Sequence, residues 1–282
     1  MEREWKRYEG TPQRDLFREI RERFLDRHRT ERGWSVDVGS GPGRFAGHIG
    51  VADRRVLLDL SLEMLRFSRR PAGEVVAAAR GHLVRGDGAR PPLRPGRFHE
   101  VVAFGNPLGF AGGDARAFLT SLLTLAAVDG AVLIEVVCGM GESSRYLRRL
   151  PPGAVRRLLS APLNLVRARV EREGFRPERP DDGEGSGFRR FGPEELRGLL
   201  AARGFRVIEA LAVAPALGSD AERIAAAKGD PAAWRRLVEL EEALGHLPGR
   251  QEAAAALLVA ARRPLSGSLP DAPESRARRM AP

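Results

Sequence analysis

The sequence predicts an α/β fold, a doubly wound parallel sheet covered by helices on both faces. Three observations predict it. Apolar, β-rich runs recur along the chain with helical patterns between them. Those runs are close to continuously apolar, as strands buried on both faces are. A glycine-rich turn, VDVGSGPGRF from Val36 to Phe45, then follows the first run, at the sheet edge where open α/β sheets bind ligands. At 282 residues the chain is long enough for one large α/β domain with an insertion.

The elements can be justified in order. Thr11 followed by Pro12 is a cap with proline at the first helical position, and Leu16, Ile20 and Phe24 then fall on one face. Five strands follow: WSVDVG from Trp34, RVLLDL from Arg55, HLVRGD from His82, EVVAFG from Glu100 and AVLIEVV from Ala131. Asp114 is placed to cap a helix whose Phe118, Leu122 and Leu125 form a stripe. Gly192-Pro193 opens another helix, closed by Gly204, and Asp230-Pro231 opens a further one. FRVIEALAV from Phe205 reads as a strand. AAAALLVAARR from Ala253 has the propensity of a helix, yet its place in the alternation reads as a strand.

The expected organisation is a helical cover at 1–30, a core at 31–137, a helical insertion or lid at 138–190, a return to the core at 191–264 and a disordered tail at 265–282. The insertion is expected because the pattern loosens after Val137 into an Arg-, Pro- and Gly-rich stretch that includes DDGEGSG, and a long segment between sheet elements usually has a task.

Composition excludes several classes. Cys138 is the only cysteine, so neither an internal disulfide nor a thiolate metal cluster is expected, and the histidines at 28, 48, 82, 99 and 246 lack metal-ligand spacing. No metal is expected. The longest apolar run, Ala253 to Ala261, falls short of the roughly 20 residues a bilayer needs, and MEREWKRYEG has no apolar signal region. A cytoplasmic protein is expected. The net charge of +10 invites a nucleic-acid partner, but it is almost all arginine, spread without one dense block.

The glycine loop, with Gly39, Gly41 and Gly43, offers bare N–H groups at the start of a helix. Arg44 stands where the dinucleotide fingerprint needs its third glycine, and no Gly-Lys-Ser/Thr follows for a triphosphate loop. Instead, three carboxylates mark the ends of three successive strands: Asp37 before the loop, Asp59 twenty residues beyond Gly39, and Asp87 in RGDGARPPL. Each has a plain alternative. Asp37 could tie down the turn, Asp59 could cap the helix near Ser61, and Asp87 could serve a GDG turn.

From about Trp34 to Val137, and more loosely to Pro264, the sequence resembles the class I methyltransferases that use S-adenosylmethionine. VDVGSGPGRF is similar to their glycine-rich motif, VLLDLSLEML to their acidic ribose motif and GDGARPPL to their adenine motif. FHEVVAFGNPLGF is similar to their fourth strand, and FGPEELRGLLAARGFRVIEA to their late helix and sixth strand. The resemblance implies a Rossmann-like seven-stranded sheet, with the last strand antiparallel between the fifth and sixth, carrying a helical cap insertion. It implies that Gly39 and Gly41, with Ser40, line the methionine portion of the donor, whose carboxylate suits the loop amides and whose ammonium suits Asp37. Asp59, followed by Leu60, would hold the ribose; Met64 and Asp87, with Gly88, the adenine; Phe104 to Asn106, the approach to the sulfonium.

Three functions stay open: a methyltransferase for a small molecule, which leads; an RNA methyltransferase; and a non-enzymatic S-adenosylmethionine-binding protein on the same fold. No catalytic residue is nominated, because a sulfonium donor already carries its leaving group and a base is needed only where the acceptor must lose a proton. Asn106-Pro107-Leu108-Gly109 is faintly similar to the Asn/Asp-Pro-Pro-aromatic motif of amino-group methylases, without its second proline and aromatic. Asn106 is therefore a tentative substrate residue. So is Tyr8, which with Trp5 could close over the donor.

Overall fold

A computed structural model describes residues 10–50, 54–69, 81–138, 189–213 and 220–264, with the isolated positions 153, 160–162 and 165. Seven strands form one sheet: β1 (Trp34–Val38), β2 (Arg55–Asp59), β3 (His82–Arg85), β4 (Phe98–Ala103), β5 (Ala126–Val137), β6 (Arg206–Ala212) and β7 (Ala256–Arg262). Their order is β3-β2-β1-β4-β5-β7-β6. The first five run parallel, and β7 is antiparallel to both β5 and β6. This is the doubly wound, seven-stranded arrangement that the sequence predicts.

β7 shows how position overrides propensity. Its alanines and leucines would suit a helix, but Leu257 to Ala261 lie between two strands and are buried on both faces. The helical tendency survives only just upstream. β5 begins five residues before its apolar run, because Val128 and Asp129 form an exposed turn, with Asp129 at φ 67°, before the ladder settles beside β4.

The helices are α1 (Pro12–His28), α2 (Leu62–Ser68), α3 (Pro107–Phe110), α4 (Ala115–Leu125), α5 (Pro193–Ala201), α6 (Ala221–Lys228), α7 (Pro231–Gly245) and α8 (Pro248–Ala253). On one face of the sheet, Phe118 and Leu122 of α4 and Leu196 and Leu200 of α5 pack with Val36, Val101 and Val259. On the other, Leu16, Ile20 and Phe24 of α1 and Leu237 and Val238 of α7 pack with Val102, Phe104 and Leu258. The caps mostly follow the sequence. Thr11 Oγ1 accepts from Arg14 N at 3.2 Å, and Asp230 Oδ1 accepts from Ala232 N at 2.8 Å. Asp114 differs: it ends a 3-10 turn at φ −85°, ψ 5°, and its side chain makes no cap hydrogen bond.

α1 is a layer of the core, with Leu16, Ile20 and Phe24 fully buried against the sheet. Trp5 and Tyr8 lie outside the described residues, as do nearly all of the insertion, including DDGEGSG, and the tail from 265. Among the described residues, no helix is long and apolar enough to cross a membrane, and no group of histidine, cysteine and carboxylate side chains could hold a metal ion.

Candidate functional site

The carboxyl ends of β1, β2 and β4 open onto one cavity of about 320 Å³, which the loop after β3 also lines. The glycine loop forms its floor. Gly39 must be glycine twice over: its φ is +76°, and a Cβ there would lie 2.6 Å from the Pro107 ring. Gly39 N and Ser40 N both donate to Leu58 O, at 2.8 and 3.1 Å, which ties the loop to the end of β2.

Asp59 completes that tie. Its Oδ2 accepts from Gly41 N at 2.7 Å and its Oδ1 from Ser61 N at 2.8 Å, so one carboxylate joins the glycine loop to the start of α2. Ser61, not Asp59, is the cap of that helix, its Oγ accepting from Met64 N at 3.3 Å. Asp87 lines the cavity and also holds its own turn, Oδ1 accepting from Ala89 N at 2.9 Å.

Asp37 is different in kind. It is buried next to the end of strand β1, and its Oδ1 has no hydrogen-bond partner among the described residues. Burial, with the neighbouring Asp59 and Glu100 carboxylates, pushes its carboxyl up to about 8. Ser40 Oγ, lining the same cavity, is likewise buried without a partner. A buried carboxylate left without a partner is costly, and a cation placed against it removes the cost. Apart from Arg44, the rest of the wall is largely apolar. Phe45 and Phe104 meet edge to face at 5.8 Å, and Leu60 and Phe110, 66% and 50% exposed, offer uncovered apolar surface.

The cavity brings together Asp37, Gly39, Ser40, Gly41, Asp59, Leu60, Asp87, Gly88 and Phe104 from four motifs of the sequence. Two residues do not join them. Met64 sits half-buried on α2 and is not part of the lining. Asn106, expected as a substrate-holding amide, is not part of the lining: it is buried and left-handed at φ 66°, its Oδ1 accepts from Val137 N at 3.2 Å, and its Nδ2 is buried without a partner among the described residues. Phe110, Ala111 and Phe118 line the cavity without having been anticipated. A lone aromatic at the end of the loop FGNPLGF was the available signal for Phe110. Among the described lining residues there is no histidine, lysine or tyrosine, and the Cys138 thiol, pushed up to about 12 by burial and by Glu252, is inert.

No protein-family model and no curated relative matches the chain. Solved structures do match. Geranyl diphosphate C-methyltransferase from Streptomyces coelicolor A3(2) superposes with a TM-score of 0.51 at 14% identity, over 87% of this chain and 77% of that one. The [4+2]-cyclase SpnF gives 0.50 at 17% identity, over 87% and 82%. A chain of the Haloferax volcanii complex between the Trm112 methyltransferase activator and a methyltransferase gives 0.51 at 17%, over 89% and 91%. Identities this low speak for the fold, and together with the antiparallel β7 between β5 and β6 they establish that this chain has the fold of the class I S-adenosylmethionine-dependent methyltransferases.

Proposed function

We propose that the chain binds S-adenosylmethionine in this cavity and transfers its methyl group to a small-molecule acceptor. One observation carries the reading: Asp37, buried and unpartnered, stands beside loop amides and an unpartnered Ser40 hydroxyl. That combination suits an amino acid's ammonium and carboxylate together. Asp59 keeps further lone pairs for ribose hydroxyls, and the uncovered faces of Leu60 and Phe110 suit a purine. Bound there, the donor supplies a methyl on a sulfonium, activated for in-line displacement. The chain's part is to orient it and exclude water, through Phe45, Phe104 and Pro107.

The small-molecule acceptor is favoured by the narrow, largely apolar wall, and the Streptomyces coelicolor structure is named for such an acceptor. SpnF, named as a cyclase, is a reason to test binding and turnover separately. A cytoplasmic setting goes with this reading, since Cys138 is buried and unbridged. Calorimetry with S-adenosylmethionine and its demethylated product tests the donor. Heat with a nicotinamide dinucleotide and none with either donor form would overturn the reading. Methyl incorporation from labelled donor into a metabolite extract then tests transfer.

A second reading, an RNA acceptor, is favoured by the arginines between residues 54 and 97. Arg54, Arg66, Arg69, Arg85, Arg90, Arg94 and Arg97 are all exposed, and none forms an ion pair among the described residues. The rings of Trp34, at the start of β1, and His82, at the start of β3, pair at 5.3 Å. Arginines for phosphates and rings for bases are what single-stranded nucleic acid uses. RNA binding that falls steeply with salt, and is lost on Arg90→Glu and Arg94→Glu, would move the acceptor to RNA.

A further inference from the structure

Glu135 lies on β5, away from the glycine loop, yet it reaches the cavity wall through one hydrogen bond. Its side chain is buried, and Oε2 accepts from the backbone N–H of Gly105 at 2.9 Å. The same carboxylate accepts from Arg21 of α1 twice, Oε2 from Nε at 3.0 Å and Oε1 from Nη2 at 2.5 Å. Arg21 is buried too, and its Nη1 donates to Phe17 O at 2.8 Å. Gly105 lines the cavity between Phe104 and Pro107, with φ at +82°.

Stability alone is a poor reason for this arrangement. Buried ion pairs can often be replaced by apolar side chains of similar volume without loss, because desolvation offsets their attraction. An apolar pair could not, however, accept the Gly105 N–H. The turn after β4 belongs to neither the sheet ladder nor a helix, and Glu135 with Asn106, whose Oδ1 takes Val137 N, pins it to the end of β5. Without the carboxylate, a half-buried amide loses its partner and the wall between Phe104 and Pro107 loses an anchor.

We infer that Glu135 is a positioning residue for the donor cavity, its carboxylate fixing the Gly105 turn while Arg21 holds that carboxylate in place. The inference rests on the donor reading above, and it gives the core helix α1 a link to the site.

Two double variants separate positioning from packing. Both remove the ion pair, but R21M/E135Q keeps an amide oxygen for Gly105 N–H and R21M/E135L does not. With each variant shown to melt cooperatively, binding of the demethylated donor product to R21M/E135Q is expected within about threefold of wild type, and to R21M/E135L at least about tenfold weaker. Equal binding by the two overturns the inference. If R21M/E135L fails to fold, E135D carries the comparison, since it keeps the charge but withdraws the oxygen. Binding by E135D equal to wild type would overturn the inference as well. Failure of wild type to bind the product is a failure of the donor reading instead. In that event, amide exchange at Gly105 decides positioning: slow in wild type and R21M/E135Q and fast in R21M/E135L supports it, and equal rates reject it.

Discussion

Asp59 Oδ2 lies 2.7 Å from Gly41 N, so the carboxylate that ends the second strand holds the glycine loop that follows the first. Its other oxygen takes Ser61 N. A residue expected to meet a ribose thus also shapes the floor on which the rest of the ligand would lie. Asp59→Ala is expected to weaken binding of S-adenosylmethionine by ~1–3 kcal/mol, from the lost ligand bonds and the freed loop amide together. Asp59→Asn should be no milder, because an amide turns an NH₂ towards one of two N–H donors. Calorimetry checks both, and unchanged affinity in either would remove Asp59 from the site.

The Asp37 carboxyl, raised to about 8, sets a pH dependence with a definite sign. A carboxyl whose folded value is raised binds its proton more tightly in the fold than in the unfolded chain. Stability of the ligand-free protein should therefore fall as pH rises between the ordinary carboxylate range and about 8, by up to ~1.4 kcal/mol per pH unit for this group. Glu100, raised to about 7 chiefly by burial, acts in the same direction. Binding of an ammonium reverses the preference. Donor affinity should rise with pH up to about 8, with protons released on binding near neutrality. Calorimetry at pH 7 in two buffers of different ionisation enthalpy measures that release, and Asp37→Asn should abolish it while raising ligand-free stability at pH 8.

How much of this was legible in the sequence depended on the kind of signal. Strand ends and the loop were legible because each is local: an apolar run, then Gly39 to Gly43, then an acid. β7 was legible only from its place in the alternation, since its side chains taken alone spell a helix. The placement of Asn106 was not legible, because its backbone is left-handed, a conformation Asn tolerates, and its Oδ1 meets Val137 N. The buried link from Arg21 to Glu135 spans 114 residues and joins two elements that no local pattern pairs.

Phe110 gives a test on an apolar part of the cavity lining. Half its surface is uncovered, it lines the cavity, and a purine against it would remove that area from water. Phe110→Ala is expected to weaken binding of the demethylated donor product by about 1–2 kcal/mol, and of adenosine by the same amount, since neither the ammonium nor the carboxylate is involved. The melting temperature of the ligand-free protein should barely move. An equal loss of ligand-free stability would mean that the ring packs within the fold instead.

α1 decides what the first thirty residues are. A cover separable from the sheet could be removed with the fold intact, but Leu16, Ile20, Phe24 and Leu25 are all 0% exposed, and Arg21 enters the core with them. The ring of Phe24 stands 6.1 Å from that of Phe104, which in turn lines the cavity. Full burial of such side chains is worth ~1.5–3 kcal/mol each, so removing the helix takes away an amount comparable to the whole stability of a domain. Deletion of residues 1–28 is therefore expected to leave a chain without a cooperative melt. Phe24→Ala should lower stability by ~3–5 kcal/mol and weaken donor binding as well, because the cavity it leaves lies behind Phe104. Chemical denaturation and calorimetry on the same preparations check the two effects together. A truncated chain that still melted cooperatively and bound the donor would return α1 to the role of a detachable cover.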